Sequence, residues 1–365
     1  MESINFMDLK RQYSIHKEGI FEAIRSVCEE TAFSGGKYAE TFEKEFANYC
    51  GAKFASGVNN GTTALHLAML ALNIGIDDEV IVPANTFIAT AWGPTYTGAI
   101  PVFIDCTNDT WEIDPSKIEA VITKKTKAVI GVHLYGQPFD IDSVKKITDK
   151  YGLHLVEDCA QAHGAVYNGK KVGVFGEIGC FSFYPGKNLG AYGEAGIVIT
   201  DNEKYNIHIN KLKNHGSSER YYHDIIGYNY RLDGIQANIL SYKLKLLDEW
   251  TLRRRQIAEM YFNGIKNKSI TMQLQPDGIK SVFHLFVITT PNREKFIEHM
   301  KIKKINCGLH YPVPCHLQKS YKHLNYKKGQ LPNAEYLAEH CVSLPMFPEL
   351  TNEEVSIIID ACNSY

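Results

Sequence analysis

Apolar and polar residues alternate along this chain in two rhythms. Residues 10–50 carry helical spacing on both sides of a Ser34-Gly35-Gly36 break, which predicts two short amphipathic helices. Beyond them, short β-branched apolar runs take turns with helical stretches. The runs predict strands at Val80–Pro83, Pro101–Asp105, Ala128–His133, Leu153–Glu157, Gly179–Phe183 and Gly196–Thr200. The stretches between and after them predict helices at Thr63–Leu72, Ile88–Tyr96, Pro115–Thr123, Asp140–Lys150 and Glu203–Asn214. Continuous apolar strands interleaved with helices indicate an α/β fold, a mostly parallel sheet covered on both faces. A longer helix is expected from Gly234 to about Tyr261, with Ile235, Ile239, Tyr242, Leu246 and Trp250 near helical spacing. The basic run Arg253-Arg254-Arg255 reads there as a solvated helix face or a subunit contact. The remainder reads as a smaller α/β unit with a Pro-rich loop at Tyr311–Pro314.

Length adds that 365 residues suit two domains, expected as 1–250 and 251–365. Charge nearly cancels, with 39 basic and 41 acidic residues, which speaks against a nucleic-acid partner. Nine scattered cysteines with no CxxC predict free thiols in a reducing cytoplasm, with neither a disulfide framework nor a metal site. The first residues lack the apolar core of a signal peptide, and no apolar run approaches the ~18 residues of a membrane span.

Four segments carry candidate chemistry. The first is Cys180-Phe-Ser182-Phe-Tyr184-Pro-Gly-Lys187-Asn-Leu-Gly, a lysine in a glycine-rich loop after a strand. A phosphate-binding P-loop needs Ser or Thr after its lysine and a glycine five residues before the last; Asn188 and Phe181 stand there instead. The glycines at 190, 193 and 196 lie mid-chain with the wrong spacing for a dinucleotide fingerprint. What remains is a lysine at a strand's carboxyl end, where open α/β sheets bind ligands; alone, it is also compatible with an ordinary surface lysine. The second segment, Leu155-Val-Glu157-Asp158-Cys-Ala-Gln161-Ala-His163, ends an apolar strand in two carboxylates. These either serve a cofactor or simply close the strand. The third, Asn60-Gly61-Thr62-Thr63, opens an apolar helix whose free N–H groups suit either a phosphate or a plain cap. In the fourth, Phe87 follows a strand end and is placed to stack on a ring or to fill core.

Taken together and in this order, these segments resemble the DegT/DnrJ/StrS sugar aminotransferases. The likeness runs from Asp8-Leu-Lys-Arg-Gln12 to Ser343-Leu-Pro-Met-Phe-Pro348 and includes Gly227-Tyr-Asn229-Tyr-Arg-Leu-Asp233. It implies a fold-type I, aspartate aminotransferase-like architecture and pyridoxal 5′-phosphate (PLP) as cofactor. By position, it implies that Lys187 binds PLP covalently and moves protons, and that Asp158 pairs with the pyridine nitrogen. Gln161 is implied at the ring's phenolic oxygen, Phe87 on its face, and Gly61, Thr62 and Ser182 at the phosphate. Asn229 is implied to reach that phosphate from a partner subunit, in a homodimer with shared active sites. His163 falls behind Gln161. A branch of the family with histidine in place of the lysine dehydrates its sugar, and Lys187 argues against that branch. Asn60 and Thr63 stand where relatives often have Ser and Asp.

The segments around Tyr184 and Gly308-Leu-His310-Tyr311-Pro-Val-Pro314 resemble members that aminate C3 of a dTDP-3-keto-6-deoxyhexose with L-glutamate, for O-antigen, S-layer or secondary-metabolite sugars. Tyr184, His310 and Tyr311 are therefore candidate substrate contacts. The alternatives are a C4 aminotransferase on a UDP- or dTDP-4-keto sugar and a non-catalytic regulator that keeps the fold.

Overall fold

The structure, a computed structural model, describes residues 3–365. Its main sheet has seven strands: β1 (Phe54–Val58), β2 (Glu79–Pro83), β3 (Ile100–Ile104), β4 (Thr126–Val132), β5 (His154–Asp158), β6 (Ile178–Ser182) and β7 (Gly196–Thr200). Their order is β1-β7-β6-β5-β4-β2-β3. The five strands from β6 to β3 run parallel, and β7 is antiparallel to both of its neighbours. Side chains alternate across the sheet. Val80 and Val82 join the core under α3 (Gly61–Ala71) and α4 (Ile88–Tyr96). Ile81 joins the opposite core with Phe42 and Phe46 of α2 (Gly36–Cys50). Both faces are dry, as an all-apolar parallel strand requires.

Most of the expected elements fall where the pattern puts them, and the differences have physical reasons. The strand β1 escapes the pattern because Ala55, Ser56 and Gly57 interrupt its apolar run; a Cβ at Gly57 would lie 2.7 Å from the Leu232 side chain. The expected helix Pro115–Thr123 is only two 3₁₀ turns, Pro115–Lys117 and Glu119–Val121. The expected long helix is two, α7 (Gly234–Leu244) and α8 (Leu247–Gly264). Lys243 in the last turn of α7 and Asp248 and Glu249 in the first turn of α8 complement two separate helix dipoles at that joint.

A second, antiparallel sheet joins β8 (Thr271–Met272), β9 (Phe286–Thr289) and β10 (Cys341–Leu344). It shares a core with α8, α9 (Arg293–Ile302) and α11 (Asn352–Asn363), and with Ile4 from the chain's start. The arginine run is not a solvated face. Buried Arg254 donates to the carbonyls of Phe283 and Met346, Arg253 to that of Leu350 and Arg255 to that of Ser281. A guanidinium with five donors can bind several carbonyls at once, so α8 holds the two segments around Ser281–Phe283 and Met346–Leu350. Residues 315–337 return to the first sheet's core through Cys315, Tyr321 and Leu337. There Asp105 accepts the Asn333 and Ala334 N–H groups that open α10 (Pro332–His340).

Candidate active site

The carboxyl ends of β4, β5 and β6, the starts of α3 and α4, and the segments at His284–Leu285 and His310–Tyr311 border a cavity of about 890 Å³. Gly61, Thr62, Phe87, Asp158, Gln161, Ser182, Tyr184, Lys187, His310 and Tyr311 all line it. Of the residues expected to touch cofactor or substrate, Asn229 alone does not. It is exposed and bridges Asn214.

One end of the cavity is built from backbone. Asn60 caps α3 by accepting the Thr63 N–H at 2.9 Å, and the Ala64 N–H bonds the Asn60 carbonyl. Thr63 spends its hydroxyl on Asn59 Oδ1 and the Asn60 carbonyl. The N–H groups of Gly61 and Thr62 carry no such bond to a described residue, so the positive end of the helix faces the cavity with two free donors. Ser182 stands against this turn; a Cβ on Gly61 would lie 2.5 Å from the Ser182 Cβ. Only glycine lets β6 and α3 approach this closely.

In the middle of the cavity, β5 sends its two terminal carboxylates to opposite sides, as strand alternation demands. Glu157 turns inward, to His133 Nε2 at 3.0 Å and to the N–H groups of Gly173, Phe175 and Gly176. Burial works against its charge, but His133 and those N–H groups win and hold it below the usual carboxylate range. Asp158 turns to the cavity. Its Oδ2 accepts the Thr90 hydroxyl at 2.7 Å and its Oδ1 the Ala160 N–H at 3.1 Å. Burial raises its pKa, with these bonds and the charge of Lys187 in partial opposition.

Lys187 follows β6, and its amine makes no hydrogen bond to a described residue. Burial lowers its pKa to about 8, with Asp158 pulling the other way. Asn188 anchors the loop by donating to the Val282 carbonyl at 2.9 Å and pairing with His284 at 3.1 Å. Gln161 is held at both ends: its Oε1 accepts the Tyr135 N–H at 2.7 Å, and its Nε2 donates to Tyr311 Oη at 3.0 Å. Tyr135 itself sits at φ 60°, a costly conformation for a non-glycine residue. His163 lies buried against Phe181 and Phe183, and burial takes its pKa down to about 3. His310 pairs with Ser343 Oγ at 2.8 Å; burial, then the charge of Lys187, lowers it to about 4. Tyr184 is exposed at the mouth, and the Phe87 and Tyr311 rings stand 5.5 Å apart.

The cavity also draws on residues that sequence reasoning missed: Phe6, Met7, Thr86, Trp92, Tyr96, Glu194 and His284. Phe6 and Met7 come from the far end of the chain, and no local pattern marks them.

An open α/β sheet with a desolvated lysine, a buried aspartate and an anion cradle at its strand ends defines an enzyme that binds an anionic cofactor and moves protons. The chain belongs to the DegT/DnrJ/EryC1/StrS aminotransferase family, which it matches over residues 14–363. It is 43% identical to a dTDP-3-amino-3,6-dideoxy-alpha-D-galactopyranose transaminase of Aneurinibacillus thermoaerophilus, over 99% of both chains. Among solved structures, it resembles Streptomyces venezuelae DesV in complex with a ketimine intermediate, with a TM-score of 0.98 and 39% identity over 100% of this chain and 98% of the other. It also resembles the PLP-form of the putative sugar aminotransferase Spr1654 from Streptococcus pneumoniae, with a TM-score of 0.90 and 26% identity over 95% of each chain.

Proposed function

We propose that this protein is a PLP-dependent transaminase that places nitrogen on C3 of a dTDP-3-keto-6-deoxyhexose, with L-glutamate as donor. The galacto epimer takes preference because it is the sugar in the name of the Aneurinibacillus relative. The product is a dTDP-3-amino-3,6-dideoxyhexose, made in the cytoplasm for a surface glycan such as O-antigen or for a secondary metabolite. One observation carries the reading: Lys187, Asp158, Gln161 and the Gly61–Thr62–Ser182 cradle converge on one cavity in a chain of this family.

The residues fit the cofactor. The unclaimed N–H groups at Gly61 and Thr62, with Ser182 beside them, suit a phosphate. Asp158 suits a ring nitrogen that must keep its proton, and the remaining Nε2 proton of Gln161 suits the phenolic oxygen. Phe87 would cover the ring, and Asn229 would complete the phosphate end from the partner subunit of a homodimer. When bound, PLP supplies a ring that withdraws electrons from the carbon bearing the transferred nitrogen.

The chain's own groups do the rest. With a pKa near 8, Lys187 exists close to neutrality both with and without its proton, which suits a group that attaches a carbonyl and then carries protons. Burial, then the charge of Lys187, lowers the pKa of His284 and of His310, which makes both weak proton acceptors beside Lys187. Donor and keto sugar use the cavity in turn. Tyr184, His310 and Tyr311 orient the hexose so that C3 approaches the nitrogen. The test is to offer 3-keto and 4-keto sugars separately, with glutamate, and to read the product by NMR. Nitrogen on C3, from the 3-keto sugar alone, is expected. Turnover of only the 4-keto sugar, with nitrogen on C4, would overturn the regiochemistry.

A further inference from the structure

Asp158 can serve a ring nitrogen only if its carboxylate is both oriented and ionised, and burial opposes the second condition. Two bonds answer this, one to each oxygen: Ala160 N–H to Oδ1 and the Thr90 hydroxyl to Oδ2. Thr90 lies in the first turn of α4 and is fully buried. A threonine in a helix ordinarily returns its hydroxyl to a carbonyl one turn back, as Thr95 does to Ala91. Thr90 instead reaches a residue 68 positions away. Its Oγ1 also lies 2.8 Å from Thr86 Oγ1, and Thr86 is itself buried.

Proton counting gives this chain of hydroxyls a direction. An ionised carboxylate only accepts, and a hydroxyl has one proton to give. Thr90 gives its proton to Asp158, so Thr86 must donate to Thr90. The two threonines also bracket Phe87, the N-cap of α4, and the Thr86 carbonyl is approached by Cys315 Sγ at 3.4 Å. The loop that presents Phe87 to the cavity is thereby tied to the carboxylate on the cavity floor.

We propose that Thr90 is a positioning residue for Asp158, and that Thr86 and Thr90 form a hydroxyl relay that sets the rotation of the carboxylate and keeps it charged. The inference rests on the PLP reading above and concerns residues outside the set assigned there. Hydrogen bonds to the charged form favour that form. Without them, a buried Asp158 would keep the proton that the ring nitrogen needs.

The test compares Thr90→Val, which keeps the β-branched shape and removes the hydroxyl, with Thr90→Ser, which restores it, and with Thr86→Val. Thermal melting of each apo chain checks the fold. Each chain is then loaded with ¹⁵N-labelled PLP, and the protonation of the ring nitrogen is read by NMR across pH. In Thr90→Val the nitrogen should lose its proton at lower pH than in wild type. Its kcat should fall roughly 10- to 100-fold with KM for glutamate within about threefold, the range of one hydrogen bond to a charged group. Thr90→Ser should return both readouts toward wild type. Thr86→Val should shift the nitrogen the same way by less; if Thr90→Val does not fold, this variant and Thr90→Ser carry the test. A nitrogen titration unchanged in Thr90→Val, or in Thr86→Val where it stands in, overturns the relay and leaves the cofactor reading intact. A wild-type chain that takes up no PLP overturns the cofactor reading itself.

Discussion

At the floor of the cavity Asp158 and Gln161 are each 5% exposed, whereas at its mouth Tyr184, Tyr96 and Phe87 are 54%, 53% and 49% exposed. The two regions are built from different materials. The floor uses strand ends, a helix start and buried side chains, and Asp158 and Gln161 are held there by hydrogen bonds already made. The mouth uses large, half-exposed rings on loops and on α4. Burial also shifts the pKa values of Lys187 and Asp158 on the floor. Preorganised polar groups in a dry site carry chemistry, while adaptable aromatic surface chooses what enters. Substitutions at the floor should therefore damage turnover or cofactor retention, and those at Tyr184 and Tyr96 should alter substrate preference.

The largest expected effect is at Lys187. Lys187→Ala should lose at least ~10³-fold in turnover, because both covalent attachment and proton transfer go with it. Mapping the borohydride-trapped adduct to a peptide checks the assignment, and a label on a different lysine would sink it. Next, Asp158→Asn should keep PLP but lose roughly 10²-fold in kcat, since an amide cannot hold a pyridinium as a carboxylate does. Near-normal turnover would place the electrostatic weight of the floor elsewhere.

Gly61→Ala drives a methyl group to 2.5 Å from the Ser182 Cβ. The cradle must open, and the dissociation constant for PLP should rise about tenfold, measured by titrating the apo chain. The pH dependence of that same uptake sharpens the contrast. The pKa of Lys187 is lowered, so its reactive free amine is the minor form below about pH 8 and dominates above it. The association rate should climb as pH rises towards 8 and level off beyond; a rate that falls over this interval would contradict a desolvated lysine. The smallest effect belongs to the mouth. Tyr184→Phe should change KM for the keto sugar by only about threefold, with PLP affinity and melting temperature unchanged, because an exposed hydroxyl contributes one solvent-competed bond. A large loss of cofactor from this variant would erase the distinction between floor and mouth.

Much of the floor is legible in the residue pattern alone. The runs leading to Asp158 and Lys187 mark strand ends, and Asn60-Gly-Thr-Thr marks a helix start, because these features depend on residues a few positions apart. The likeness to sugar aminotransferases joins them into one site. Other features leave no local mark. Nothing near Thr90 announces a bond to Asp158, and nothing in residues 1–8 announces that Phe6 and Met7 wall the cavity. The arginine run at 253–255 reads as solvated by charge pattern, which cannot reveal the carbonyls that other segments bring to it. The weak strand β1 exists because β7 offers it a partner. By itself, then, the sequence determined the alternation of elements, the caps and the chemical identity of the floor, all set by short-range periodicity and hydrogen bonding. The order of the strands, the meeting of Thr90 with Asp158, the burial that brings Lys187 to a pKa near 8 and the walls of the mouth were decided by tertiary structure. These depend on distances between residues far apart in the chain, and on a local dielectric that only packing creates.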